Sequence, residues 1–317
     1  MDTGLMLGAA IVGPVLASHV VEALRSVPVS PDELPWAPDI PIQYVELDEA
    51  RVRYIVTGEG PPLVLLHTLR TQLDLFQKVI PELAKYHRVY ALDYPGHGWS
   101  DIPRSAYSPE FFVRTVARFL DRLDIGEATL MGESIGGSIA LLLAARRNRR
   151  VRRVVAMNPY DYDRGRGLRR SSLLANVILG ASRIPVVGGT VMRLRNPFVE
   201  SRILHGGVRR AGALPPAFAR EVYQVGNRRG HYQAFMSLVR HWPAWQAARS
   251  EYRTIDCPVL LLYGDHDWSW PEEREANRRD VPGAQLRVIE NAGHFLTLDA
   301  PDEVIRSVLQ FEAAPAL

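Results

Sequence analysis

Gly132-Glu133-Ser134-Ile135-Gly136, the pentapeptide GESIG, joins two stretches of different apolar rhythm. Before it, residues 128–131 form a short apolar run suited to a buried strand; after it, residues 135–145 carry apolar side chains at helical spacing. A GxSxG at such a junction places Ser134 on a sharp strand-to-helix turn, where a Cβ at either glycine would collide with neighbouring backbone. The turn projects the serine hydroxyl into open space, and the following helix aims its N-terminal amides at the same point, where an oxyanion would develop. Ser134 is therefore the candidate nucleophile.

Such a serine needs a base and an orienting acid, and with this motif they follow in the order Ser, then Asp or Glu, then His. Residues 259–263 are an apolar run ending in Gly264-Asp265-His266-Asp267, which offers two carboxylates at a strand's C-terminal edge. Residues 286–289 make another such run, leading into Glu290-Asn291-Ala292-Gly293-His294. His294 then lies in a glycine-containing loop ahead of a helix at 301–311, from which its ring can reach across the top of a parallel sheet. The order Ser134, Asp267, His294 fits.

With these residues in place the chain resembles the α/β-hydrolase superfamily over roughly residues 44–311. Besides GESIGG, the likeness rests on Leu65-Leu66-His67, on DYPGHGWS at 93–100, on GDHD at 264–267 and on NAGH at 291–294. The resemblance implies that Asp267 is the acid, with Asp265 as the alternative, and that the oxyanion is held by the amides of Ile135 and Leu69. One departure stands out: Thr68 follows His67 where the family usually has glycine. A β-branched residue disfavours positive φ, so either the loop takes another path or strain is accepted there, and the Thr68 hydroxyl becomes a candidate third donor to the oxyanion.

Strands read near residues 44–47, 52–57, 63–66, 89–92, 129–131, 151–157, 259–263 and 286–289, alternating with helical patterns. This predicts an α/β fold, a mostly parallel eight-stranded sheet with helices on both faces. The rhythm breaks between residues 160 and 256, where helix-length amphipathic runs at 171–184, 215–225 and 231–248 are punctuated by Gly188-Gly189, Gly206-Gly207 and Pro215-Pro216. That stretch predicts a helical cap, with the hydrolase core at 44–159 and 257–317. Trp268 and Trp270, beside the acid, and His67, beside the oxyanion loop, are candidate pocket residues. An apolar pocket closed by a cap implies a hydrophobic small-molecule substrate.

Other polar residues have plainer readings. His67 braces its own loop, His97 belongs to a Gly-rich turn, and Glu133 anchors the loop beside the nucleophile. Asp161 and Asp163 follow the sixth strand, where an acid sits in some relatives, and so hold a minor claim on that role. Asp265 and His266 lack further ligands at metal-site spacing, so no metal is expected. No phosphate loop or dinucleotide fingerprint is visible, and no cofactor is implied. The lone Cys257 rules out an internal disulfide.

The net charge of +3 conceals an arginine-dense stretch at residues 146–170. Its pairs fall at a helix C-terminus and a strand start, where cations suit the helix dipole and solvated surface, so nucleic acid is not the expected partner. The N-terminus points to lipid instead. Residues 4–18 are an uncharged, mostly apolar run within a segment at 1–26, and a proline-rich strap follows at 27–43. Without Lys or Arg ahead of the run, a cleaved secretory signal is disfavoured, leaving a helix packed on the domain or a membrane anchor. If the segment spans, Arg25 on its C-terminal side keeps the catalytic domain cytoplasmic.

These residues lead to a serine hydrolase acting on an uncharged, hydrophobic carboxylic ester. A carbon–carbon bond hydrolase of vinylogous diketones and a non-enzymatic ligand-binding member are the other readings. A serine in the nucleophile position disfavours haloalkane dehalogenase and epoxide hydrolase chemistry, which uses a carboxylate.

Overall fold

The computed structural model describes residues 3–314, with side chains from Val12 onward. Its eight strands are β1 (Gln43–Leu47), β2 (Ala50–Thr57), β3 (Pro62–Leu66), β4 (Arg88–Leu92), β5 (Ala128–Glu133), β6 (Val151–Met157), β7 (Val259–Gly264) and β8 (Gln285–Ile289). They form one sheet in the order β1-β2-β4-β3-β5-β6-β7-β8. β2 runs antiparallel to both its neighbours, and every pair from β4 to β8 is parallel.

The helices are α1 (Thr3–Leu24), α2 (Ile80–Leu83), α3 (Pro109–Arg122), α4 (Ile135–Ala145), α5 (Leu173–Ala181), α6 (Val187–Arg193), α7 (Pro197–His205), α8 (Pro216–Val225), α9 (His231–Arg240), α10 (Trp242–Ala248), α11 (Pro271–Asp280), α12 (Leu296–Asp299) and α13 (Pro301–Ala313). α5 to α10 all fall between β6 and β7 as one helical insertion. The long run expected at 231–248 is two helices, because Pro243 cannot continue α9 and instead sits in the first turn of α10.

The strand pattern explains the layers. Leu63 and Leu65 join one buried cluster with Ile80, Val304 and Val308, while Val64 and Leu66 join another with Phe112, Phe119 and Ile139. Alternate side chains of a strand point to opposite faces, so a continuous apolar run is what a sheet covered on both sides requires. The same alternation recurs in β6 and β7, and helices fill both faces.

The proline-rich strap contains no helix and is fastened by Trp36, whose indole N–H donates to Asp74 Oδ1 at 2.6 Å. Residues 4–11 of the expected apolar run lie outside the described side chains. Among the described residues, no helix is long and apolar enough to cross a membrane.

Candidate active site

β5 ends at Glu133 and α4 begins at Ile135, leaving Ser134 on the turn at φ 60° and ψ −118°. A non-glycine residue held there costs on the order of 1–3 kcal/mol and persists only where its surroundings force it. The surroundings are tight. A Cβ on Gly132 would lie 2.1 Å from the Gly136 carbonyl oxygen, and one on Gly136 would lie 1.9 Å from that of Leu66. The second contact presses the elbow against the end of β3 and brings the 67–70 loop beside the serine.

β7 and β8 pair in parallel up to Gly264 and Ile289, so the loops carrying Asp267 and His294 leave the same edge of the sheet as Ser134. There the three side chains form a hydrogen-bonded chain. Ser134 Oγ lies 2.9 Å from His294 Nε2, and His294 Nδ1 lies 2.5 Å from Asp267 Oδ1. All three residues are buried. Burial alone would raise the Asp267 pKa, but its interactions with His294 and Ser269 outweigh that and hold the carboxyl below its ordinary value. The other carboxylate oxygen accepts from the Ser269 hydroxyl and, at 3.0 Å, from the Ser269 amide. Trp268 stacks on His294 with centroids 3.6 Å apart and planes 12° apart, fixing the ring's tilt.

The alternative acids sit elsewhere. Asp265 Oδ1 accepts from His266 Nδ1 at 2.8 Å and from the Ala292 amide at 3.0 Å. Its modest burial would raise its pKa, yet these bonds pull it down to about 2, so it organises the loop under His294. Asp161 is buried among Tyr252 and Asn277, and Asp163 pairs with Arg166 and Arg170.

In the 67–70 loop, the amide of Leu69 has no acceptor among the described residues, and neither does that of Ile135, the first residue of α4. Both are free donors among the described residues. Positive φ falls on Arg70, at 58°, and Thr68 lies outside the left-handed region, so no strain of that kind is accepted at Thr68. His67 Nδ1–H donates to the Thr68 carbonyl at 2.7 Å, and its Nε2 accepts from the Tyr94 amide at 3.1 Å. Burial depresses its pKa to about 3, which keeps the ring neutral for both bonds. His67 therefore braces the loop and does not line the pocket.

A cavity of about 230 Å³ opens between Thr68 and Leu69 of the core and the inserted helices. Its wall is apolar except for Thr68, Arg70, Arg195, Asn196 and Glu200. The charges there are already paired, Arg70 with Glu200 at 2.8 Å and Arg195 with Glu22 at 2.8 Å. Trp268 lines this cavity. Trp270 does not: it sits at the N-terminus of α11, 58% exposed, with the Arg170 guanidinium 5.2 Å above its ring.

Several supporting residues escaped the sequence reading. Asn158 donates to the carbonyls of Gly293 and His294 at 3.2 and 2.8 Å and accepts from the Gly264 amide at 3.1 Å, tying both loops to the end of β6. Arg274 holds Ser269 through its hydroxyl at 3.0 Å and its carbonyl at 2.7 Å. The one available signal was an asparagine directly after a strand, a residue type that tolerates the positive φ of 44° found there.

Known proteins bear on this geometry. Haloalkane dehalogenase 2 of Mycobacterium tuberculosis is 28% identical over 274 residues, covering 84% of this chain and 93% of that protein. 2-Hydroxymuconate semialdehyde hydrolase of Pseudomonas sp. strain CF600 is 29% identical over 256 residues, covering 77% and 83%. Among solved structures, one described as a membrane phospholipase A superposes with a TM-score of 0.72 at 23% identity, covering 98% of this chain and 94% of its own. Residues 63–307 match the model of the Alpha/beta hydrolase family, and the chain belongs to that family.

Proposed function

We propose that this hydrolase cleaves uncharged, hydrophobic carboxylic esters through an acyl-enzyme. The observation that carries this reading is the hydrogen-bonded chain from Ser134 through His294 to Asp267 beside an apolar cavity whose charges are internally paired. His294 Nε2 takes the proton of Ser134 as its oxygen attacks the ester carbonyl, and Asp267 orients the ring and stabilises the imidazolium. The amides of Leu69 and Ile135 meet the oxyanion, a contribution on the order of 10²–10³ per donor in turnover. His294 then returns the proton to the leaving alcohol. Water, deprotonated by the same imidazole, attacks the acyl-serine and releases the acid.

Dehalogenation, the named activity of several relatives, fits this nucleophile poorly. Displacement of a halide by Ser134 would leave an alkyl ether, which has no carbonyl for water to attack. Carbon–carbon bond hydrolysis stays as the second reading because a named relative acts on a 2-hydroxymuconate semialdehyde. It uses the same Ser134, His294 and Asp267.

The test is turnover of soluble esters of graded acyl length, with Ser134→Ala as control. Ester hydrolysis abolished by that substitution supports the reading. Indifference to esters with activity on ring-cleavage diketones would move the function to the second reading. Absence of both, together with failure of a serine-directed phosphonate to label the protein, would make the chain a ligand-binding member. We further place the enzyme at a membrane surface through its N-terminal segment, a location in keeping with the solved neighbour described as a membrane phospholipase A.

A further inference from the structure

α1 packs with its polarity reversed. The residues it turns toward the rest of the protein are Val15, Ser18, Glu22 and Arg25, the last just past its end, spaced as one stripe of a helix. Three of the four are polar, and all three are used. Ser18 is fully buried and accepts from Arg193 Nε at 2.9 Å. Glu22 accepts from Arg195 at 2.8 Å, and Arg25 donates to Tyr223 Oη and to the Arg193 carbonyl, each at 2.9 Å. The side facing away carries Val12, Leu16, Val20 and Leu24, between 54% and 81% exposed. A surface helix in water shows the opposite arrangement, apolar inward and charged outward. A helix lying in a lipid interface shows this one.

The cap continues the same chemistry. α1 packs on α6 and α6 on α5, while Leu173 and Val177 of α5, Val186 at the start of α6 and Phe198 of α7 are each 61–79% exposed. Their chain neighbours Ile178 and Val199 line the cavity that Leu69 and Trp268 also line, and Leu194, 44% exposed, belongs to the cavity wall and the surface together. Exposed apolar residues scattered singly need no explanation, but a set drawn from several helices around a pocket mouth does. Arg183, beside Ile184, and Arg202, one helical turn after Phe198, are exposed and unpaired with any carboxylate among the described residues. They add positive charge at the edge of the apolar patch.

We propose that α1 and the cap helices α5 to α7 form one lipid-docking face, through which a hydrophobic substrate passes from an anionic bilayer, beside Leu194, into the cavity lined by Leu69 and Trp268. This rests on the hydrolytic and membrane-surface reading above and extends it from the N-terminal segment to the cap. Anionic lipid suits the arginines at the edge; a second copy of this chain, meeting the face about a two-fold axis, would bring like charges together.

The experiment is flotation of the full chain with phosphatidylcholine vesicles, with and without phosphatidylglycerol. The variants are Val177→Asp/Phe198→Asp and Arg183→Glu/Arg202→Glu, which leave α1 and the cavity wall intact. The parent should float with phosphatidylglycerol vesicles, and each double variant should lose about tenfold or more in binding, by loss of apolar insertion or of attraction to the anionic surface. Both should keep parental turnover of a short soluble ester and lose turnover of a long-chain ester embedded in the vesicles. If both variants float as well as the parent, α1 suffices and the cap is no part of the face. If the parent stays out of vesicles and instead forms a dimer in sedimentation that Val177→Asp/Phe198→Asp separates, the face is a protein interface. A parent that floats yet leaves the soluble ester untouched would defeat the ester reading and leave the docking face standing.

Discussion

At the scale of single residues, the site divides one task between two neighbouring aspartates. Asp267 holds His294 Nδ1, whereas Asp265 holds the backbone that carries the histidine. Asp267→Asn should therefore lower turnover on the order of 10⁴, since the amide would stabilise the wrong tautomer of the ring, and Asp265→Asn should cost far less. Ester kinetics decide it, and the reverse ranking would move the acid. Ser134→Ala and His294→Ala should each remove nearly all activity, because the members of such a unit act together. Glu133, directly before the nucleophile, has a different consequence. One of its oxygens accepts from Thr297 Oγ1 at 2.7 Å and the other has no partner among the described residues. Burial raises its pKa from 4.5 to about 8, so between those values the folded protein keeps a proton that the unfolded chain has lost. Stability contributed by that proton is complete below about pH 4.5 and is lost as pH rises toward 8. Glu133→Gln should remove this slope, so that the variant's melting temperature gains on the parent's between pH 5 and pH 8. Equal differences at the two pH values would show that Glu133 does not titrate in this way.

Among the elements, the strands of the sheet were the most legible, because a strand buried on both faces reads as an unbroken apolar run and β5, β6 and β7 each contain one. Ser134 and His294 were legible for a related reason, since their motifs are fixed by backbone geometry at strand ends. Asn158 was not, because what it holds depends on which strand ends lie side by side, and only the parallel register reveals that; Arg274 was not, because its bonds to Ser269 depend on how the 265–270 loop folds back over the start of α11. α6 and α7 were missed because they are short, seven and nine residues, and mix glycine or arginine into a weak apolar pattern. In the 67–70 loop, positive φ falls on Arg70 and Thr68 avoids it. Thr68→Gly and Thr68→Val then separate backbone from hydroxyl. If the Thr68 hydroxyl meets the oxyanion, both should lower ester turnover, by up to about 10²-fold, with little change in KM. Parental rates in both would remove the hydroxyl from the mechanism. For α1, a chain beginning at Val27 would strip Arg193 of Ser18 and Arg195 of Glu22, and should lose roughly 1–3 kcal/mol of stability in denaturant unfolding. Unchanged stability would mean that the helix contributes nothing to the fold.

Over the whole molecule, core and cap share continuous apolar packing, with Phe112 of α3 against Trp245 of α10, and polar ties frame the apolar space left between them. Arg70 reaches Glu200 of α7, Trp99 donates to Glu221 of α8 at 3.1 Å, and Arg228 donates to the carbonyls of Gly98 and Ser100. The ties are directional, so they add orientation to the apolar packing that seats the cap, while the apolar wall between them limits what fits. An acyl chain in that wall should be read by length, since one methylene in a hydrophobic pocket changes discrimination by about 1–3 kcal/mol. Leu179 is the position to alter, being 2% exposed, on the cavity wall and away from the charged pairs. Leu179→Trp fills part of the space and should cut kcat/KM for long acyl chains by at least about tenfold while sparing the shortest esters. Leu179→Ala enlarges it and should shift the optimum toward longer chains, at about 2–5 kcal/mol of stability. Labelling by a small serine-directed phosphonate separates these effects from damage to the site, because it reports Ser134 and His294 without using the cavity. If both variants label normally and keep the parental chain-length profile, the acyl group lies elsewhere and the cavity does not set specificity.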